Sequence, residues 1–214
     1  ILQKKYLKIK IQDKIAWISI NREEKLNALN ISMLEEIRKN LIDIRENKEI
    51  FVLVFLGSGD KAFIAGADIS EFSKYGKNKG LELAKKGQEN VLDLIENFPK
   101  PIIAGINGYA LGGGLELAMA CHLRVAVNTA KLGLPEVSLG LIPGYGGTQR
   151  LTKLVGKTNA MEMILSGEMI DSEKAYALKL VNKVVERENL IDSIGEIANK
   201  IMKNSPNAIA KAIE

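Results

Sequence analysis

A single cysteine, Cys121, and a single histidine, His122, are the only soft metal ligands in this chain of 214 residues. Cys121 has no partner for an internal disulfide, which fits a reducing compartment and makes the cytoplasm the expected location. Two adjacent side chains cannot complete a Cys/His zinc site, so no metal is expected. A Ser-His-Asp triad would have to recruit His122, and no Gly-x-Ser-x-Gly turn supplies its serine. His122 precedes the apolar run 123–127 and reads as a corner between a helix and a strand. No apolar run approaches the length of a membrane span, and no signal-peptide pattern opens the chain, which begins at Ile1 rather than Met and so reads as trimmed. The net charge is +4, but bases and acids are intermixed. No Arg/Lys stripe with interleaved aromatics marks a nucleic-acid surface, so neither nucleic acid nor membrane is an expected partner.

Two nucleotide motifs are also missing, despite fragments that resemble them. Gly57-Ser58-Gly59 follows a strand-like run, yet the residues after it, Lys61 onward, lack the helical spacing that a dinucleotide fingerprint requires. Gly156-Lys157-Thr158 looks like the end of a phosphate-binding loop. The first glycine of that motif would fall at Leu151, so the match fails.

What remains is an α/β chain, 46% hydrophobic and long enough to bury a core. Residues 6–11 and 15–20 alternate apolar and polar side chains around Gln12-Asp13-Lys14, the pattern of a hairpin. Met33, Leu34, Ile37, Leu41 and Ile44 recur at helical spacing over 32–46, with Ser32 and Glu35 in capping-box positions. Continuous apolar runs at 50–56 and 101–106 predict buried strands. A polar loop at 74–79 leads into a helix through Asn97, a second helix opens in the glycines at 112–114, and a strand follows at 123–127. The remainder reads as mostly helical, with a short strand near 181–185.

Two acids stand out against this background. Glu116 follows Gly112-Gly113-Gly114-Leu115, and Glu136 follows Leu132-Gly133-Leu134-Pro135. A carboxylate facing apolar atoms loses hydration, and paired carboxyls in dry pockets are a common acid/base device. Gly66-Ala67-Asp68 and the 112–114 glycines can bring backbone close to a ligand. The second set also sits where a helix begins, so free N–H groups there can converge on one oxygen, unless the glycines serve only tight packing.

Lys61-Ala62-Phe63-x-Ala65-Gly66-Ala67-Asp68, Asn107-Gly108-Tyr109-Ala110-Leu111-Gly112-Gly113-Gly114-x-Glu116 and Pro135-Glu136-x-x-Leu139-Gly140-x-x-Pro143-Gly144-x-Gly146-Gly147-Thr148-Gln149-Arg150 together resemble the crotonase (enoyl-CoA hydratase) family. The resemblance spans essentially the whole chain and is strongest toward bacterial short-chain hydratases. It implies an α/β spiral of repeated β-β-α units over 1–190, with 191–214 starting a C-terminal helical region that trimerises. It also implies reversible hydration of a 2-trans-enoyl-CoA, with Glu116 and Glu136 as acid and base. The Ala67 and Gly113 N–H groups would form the oxyanion hole. Lys25, Ala65, Gly66, Asp68, Ile69 and Gly144 would contact the acyl-CoA, Gly144 from a helix start. No cofactor is implied beyond the coenzyme A carried by the substrate, and the implied assembly is a homotrimer or homohexamer. Ile194, Ile197, Ala198, Ile201 and Met202 form a helical stripe that reads as part of its association surface.

Two departures from the family stand out. His122 occupies a position where close relatives carry aspartate, and Glu214 falls several tens of residues before the usual end. The missing part would cover the acyl pocket and contact coenzyme A. Double-bond isomerisation, another acyl-CoA reaction of the family, or a non-catalytic acyl-CoA-binding role stay open, because fold alone does not decide function.

Overall fold

The computed structural model describes residues 5–72 and 77–214. Strands β1 (Leu7–Gln12) and β2 (Ile15–Ile20) form the expected antiparallel hairpin, Leu7 opposite Ile20 and Gln12 opposite Ile15. Asp13 and Lys14 turn it with φ of 52° and 63°, the left-handed pair that matches the twist of a two-residue hairpin. Helix α1 (Ile31–Glu46) buries the Met33, Leu34, Ile37, Leu41 and Ile44 stripe. Its start differs from the capping box read at Ser32 and Glu35. Asn30 is the cap, its side chain accepting from the Met33 N–H at 2.7 Å, so Ser32 already lies within the first turn.

Beyond α1 the chain runs through β3 (Val52–Gly57), β4 (Ala62–Ala65) and the short α2 (Ile69–Phe72). Then come α3 (Lys77–Gly87), a π turn at Gln88–Leu92 and α4 (Asp93–Glu96). Residues 73–76, part of the polar loop expected at 74–79, lie outside the described residues, and α3 has begun by Lys77. The next elements are β5 (Ile102–Ile106), β6 (Tyr109–Leu111), α5 (Gly113–Ala120), β7 (Leu123–Val127) and β8 (Lys131–Gly133). A 3-10 turn (Pro135–Leu139) leads to α6 (Gly147–Val155), α7 (Lys157–Ser166), β9 (Ile170–Asp171) and α8 (Ser172–Ala177). The chain then passes through β10 (Lys183–Val185), α9 (Leu190–Ile201) and α10 (Pro206–Ile213).

Pairing turns this list into a spiral. One sheet has the order β1-β2-β3-β5-β7-β10, parallel from β2 onward, and the other has the order β4-β6-β8-β9. The pairs β3/β4, β5/β6 and β7/β8 each place one strand in the large sheet and the next in the small one, before helix returns the chain to the start of another turn. The large sheet is covered on both faces, which is why Val52–Phe55 and 102–106 are apolar without alternation and fully buried. The small sheet was not legible in the sequence, its four strands being only two to four residues long.

The late helical stripe has a different role from the one expected. Leu190, Ile194 and Ala198 are buried in this chain, where α9 packs on β5 and β7, with Ile197, Ile201 and Met202 partly buried beside them. No helix among the described residues is long and apolar enough to cross a membrane.

Gly114 holds the two layers together. A Cβ built there would collide with the Ile64 carbonyl, so α5 reaches β4 only without a side chain at this point. Gly114→Ala is expected to destabilise the fold by roughly 1–3 kcal/mol through overpacking. Gly195→Ala in α9, where a Cβ meets nothing within 4 Å, should instead gain up to about 1 kcal/mol. Denaturant unfolding of both variants checks this, and equal midpoints would refute it.

Candidate active site

The register of the small sheet assembles the site. Ala65 of β4 pairs with Leu111 of β6, and Leu111 pairs with Gly133 of β8, all three strands parallel. Their carboxyl ends are therefore level, and the segments leaving them lie side by side: Gly66-Ala67-Asp68, Gly112-Gly113 and Leu134-Pro135-Glu136. This is the edge where open parallel sheets bind ligands. Gly112 links the three. Its N–H donates to the Gly133 carbonyl at 2.9 Å, and its φ of +49° favours glycine. A Cβ there would lie 2.9 Å from Glu136 Oε1 and 3.7 Å from the Gly66 Cα.

Glu116 sits in the first turn of α5 and is 1% exposed. Its Oε1 accepts from two backbone N–H groups, Tyr145 at 2.8 Å and Gly147 at 2.7 Å. Burial pushes its carboxyl up to about 7, reinforced by the charge of Glu136 and opposed by the Gly147 and Tyr145 hydrogen bonds and by Arg150. Glu136 opens the 3-10 turn after β8. It is partly buried, its Oε2 has no partner among the described residues, and burial raises its pKa as well. The Tyr145 hydroxyl is a second buried oxygen without a partner. A Cβ on Gly113 would lie 3.4 Å from the Tyr145 ring, so this side chain packs beside the start of α5.

Two backbone donors near these acids have no acceptor among the described residues. In the parallel bridge between Leu29 and Ala67, the bonds run from the Leu29 N–H to the Gly66 carbonyl and from the Asp68 N–H to the Leu29 carbonyl. Leu29 supplies both groups, so the Ala67 N–H is directed away from that strand. Gly113 is the first residue of α5, and its N–H is one of the groups a helix start leaves unsatisfied. Neither N–H has an acceptor among the described residues.

The other expected residues lie on or beside the segments that carry Ala67 and Tyr145. Ala65 and Gly66 are bonded to the segment following Lys25, through the Ala65 N–H to the Leu26 carbonyl and the Leu29 N–H to the Gly66 carbonyl. Lys25 itself is exposed at the end of a 3-10 turn. Asp68 accepts from the Ser70 hydroxyl at 2.6 Å and pairs with Arg22 at 2.7 Å, contacts that hold its carboxyl below the usual range. Ile69 opens α2, and its side chain lies outside the described residues.

Gly144 requires a correction, because α6 starts at Gly147 and not at Gly144. The N–H groups that reach Glu116 come from Tyr145 and Gly147, which the sequence reading missed because a backbone donor has no residue signature. His122 is the expected corner. Its Nδ1 accepts from the Ile102 N–H at 2.8 Å, which puts the proton on Nε2, 3.2 Å from the Glu96 carbonyl, and burial lowers its pKa. Among the described residues no three His, Cys, Asp or Glu side chains gather as a metal site.

Known proteins are similar to this chain in sequence and fold. The model of the enoyl-CoA hydratase/isomerase family matches residues 10–214. The short-chain-enoyl-CoA hydratase of Clostridium acetobutylicum is 43% identical, the match covering 92% of this chain and 76% of that protein. The crotonyl-CoA hydratase of Syntrophomonas wolfei is 42% identical over the same shares. The crystal structure of an enoyl-CoA hydratase from Bacillus anthracis superposes with a TM-score of 0.91 at 38% identity, covering 98% of this chain and 81% of that one.

Raising the Glu116 pKa has a stability consequence of definite sign. Between its ordinary value of 4.5 and about 7, the native chain keeps a proton that the unfolded chain has lost. Its contribution to stability is therefore complete below about 4.5 and is lost as pH rises through 7. Glu116→Gln cannot ionise, so its stability relative to the native chain should rise across this window, by about 3 kcal/mol between pH 4 and pH 8. Denaturant unfolding at both pH values measures it; a pH-independent difference would contradict the assignment.

Proposed function

The chain belongs to the enoyl-CoA hydratase/isomerase family, and from that premise we propose that it hydrates 2-trans-enoyl-CoA thioesters reversibly, with Glu116 and Glu136 sharing one water. The observation that carries this reading is the pair of carboxyls, Glu116 buried and Glu136 partly buried, beside two backbone donors with no acceptor among the described residues. The thioester oxygen accepts from the Ala67 and Gly113 N–H groups. Glu116 takes a proton from water as the new O–C3 bond forms, and the C2=C3 electron pair shifts toward the thioester as an enolate. The two N–H groups stabilise that charge, and Glu136 delivers a proton to C2. Dehydration reverses each step.

Environment suits these roles. A base near neutrality combines the right protonation state with a useful driving force, and Glu116 at about 7 meets that condition. The backbone bonds engage only Oε1 among described partners, leaving Oε2 for water. Lys25, Ala65, Gly66, Asp68, Ile69 and Gly144 contact the acyl-CoA in this reading. Coenzyme A enters as part of the substrate, and no further cofactor takes part.

The reading extends to organisation. Residues 1–190 carry the chemistry and 191–214 begin an assembly region, in which α10 has no buried residue. The protein works as a homotrimer or homohexamer. Support comes from the exposed Leu139, Leu141 and Ile142, with Ile142 77% exposed, and from the exposed Leu165 and Met169. A cytoplasmic setting suits Cys121, a buried thiol that burial pushes up to about 12.

Loss of crotonyl-CoA ultraviolet absorbance tests the mechanism. Glu116→Gln and Glu136→Gln should each lower kcat by about a hundredfold or more, with the double variant little worse than either. Gly113→Pro removes an oxyanion donor and should cost on the order of a hundredfold. Chelator should leave the native rate unchanged. Unimpaired hydration by Glu136→Gln would defeat the two-carboxylate mechanism. An isomerase would instead shift 3-enoyl-CoA to 2-enoyl-CoA at near full rate in one of the glutamine variants.

A further inference from the structure

Arg150 is a buried cation that the hydration chemistry does not itself use. It lies in the first turn of α6 and is 5% exposed, an environment a guanidinium tolerates only when its donors are satisfied. Four hydrogen bonds engage four of its five N–H groups. Nε donates to Glu96 Oε2 at 2.9 Å, Nη2 donates to Glu96 Oε2 at 2.6 Å and Asp93 Oδ1 at 2.7 Å, and Nη1 donates to the Tyr145 carbonyl at 2.7 Å. The two acids are on α4, one turn apart, and both are partly exposed.

The Tyr145 contact gives this cluster its meaning. Tyr145 is held through both its backbone groups, the N–H by Glu116 Oε1 and the carbonyl by Arg150. Gly147, the other donor to Glu116, begins the helix to which Arg150 belongs. The far side of the loop is closed by the helix before α4: the Tyr145 ring lies against Gly87, and Gly144 approaches Ala84. A short glycine-rich loop between Pro143 and Thr148 is thus fixed from α4 through one guanidinium.

We propose that Arg150, anchored on Asp93 and Glu96, is a positioning residue for Glu116, setting the orientation of the carboxyl and the pH at which it loses its proton. This rests on the hydratase reading for its catalytic consequence but not for its structural one. The charged and titratable groups facing Glu116 are Glu136, Tyr145 and Arg150. Arg150 is the cation among them, so its loss moves the ionisation of Glu116 to higher pH. A brace that merely joined α4 to α6 would change melting temperature without moving that ionisation.

The test is a carbon-13 NMR titration of glutamate carboxyls in the native protein, Arg150→Gln, Arg150→Lys and Asp93→Asn/Glu96→Gln, with Glu116→Gln assigning the resonance. Hydration kinetics against pH are measured on the same samples. Arg150→Gln should titrate Glu116 at higher pH, lower kcat about tenfold or more with KM changed less than about threefold, and shift the acid limb of the rate profile upward. Arg150→Lys keeps the charge without the fork and should retain most of the titration while losing part of kcat. The Asp93/Glu96 variant should reduce kcat through the freed loop, and it keeps the test open if Arg150→Gln does not fold. Lys100→Met provides the structural control: it removes a brace to the Ile44 and Asn47 carbonyls and should lower melting temperature while leaving both pH readouts in place. An unmoved Glu116 titration with unchanged kcat in the Arg150 and Asp93/Glu96 variants would overturn the proposal. A native protein without hydratase activity would defeat the hydratase reading alone, since the NMR titration reads Arg150 independently.

Discussion

A carboxyl group held out of water in the first turn of a helix is the constraint to which this structure answers. Glu116 loses hydration in the interior, and burial alone would leave it protonated with its oxygens unpaired. The fold supplies two backbone N–H groups to one oxygen and, among the described residues, no direct cation, so the group is held in place without being driven fully to the charged form. A salt bridge to an adjacent arginine would have lowered its pKa, as the Ser70 hydrogen bond and the Arg22 ion pair together do for Asp68. The same burial that makes Glu116 costly to stability above neutral pH is what keeps it able to exchange a proton there.

Strand register does the rest of the assembly. Because β4, β6 and β8 are parallel and level, residues 67, 113 and 136, far apart in the chain, emerge at one edge. Antiparallel pairing would have sent alternate segments to opposite edges. Gly112 and Gly114 permit the crowding at this edge, the first by its positive φ and the second by letting α5 approach β4. The structural residues and the chemical ones are therefore interleaved along the same short stretch of sequence.

That interleaving explains what could and could not be read from the residues. The hairpin, α1, the large-sheet strands and the 123–127 strand carry strong period-two, period-3.6 or continuous apolar signals. The small sheet does not: β6 and β8 have three residues each, and pairing fixes them where intrinsic pattern cannot. Glu116 and Glu136 were visible because charge in an apolar, glycine-rich setting is conspicuous. The clamp on Glu116 was invisible because it is made of main chain. Asn30 displaced Ser32 as the α1 cap for a local reason, since these two polar residues near one boundary offer competing caps and geometry chooses. The α9 stripe was correctly read as apolar but given the wrong partner, because periodicity shows that a face is buried and not what buries it.

The arrangement behind Glu116 follows from how far charge acts. Arg150 sits beyond Tyr145, bonded to its carbonyl, while Glu116 bonds to the N–H of the same residue. A guanidinium in direct contact would favour the carboxylate strongly; one residue of main chain away, it lowers the pKa less than burial raises it. Asp93 and Glu96 in turn offset the cation, so the loop can be rigid without making the site strongly positive. Rigidity and near-neutral titration are competing demands on one carboxyl group, and separating the charge from it by the main chain of Tyr145 is a way to meet both.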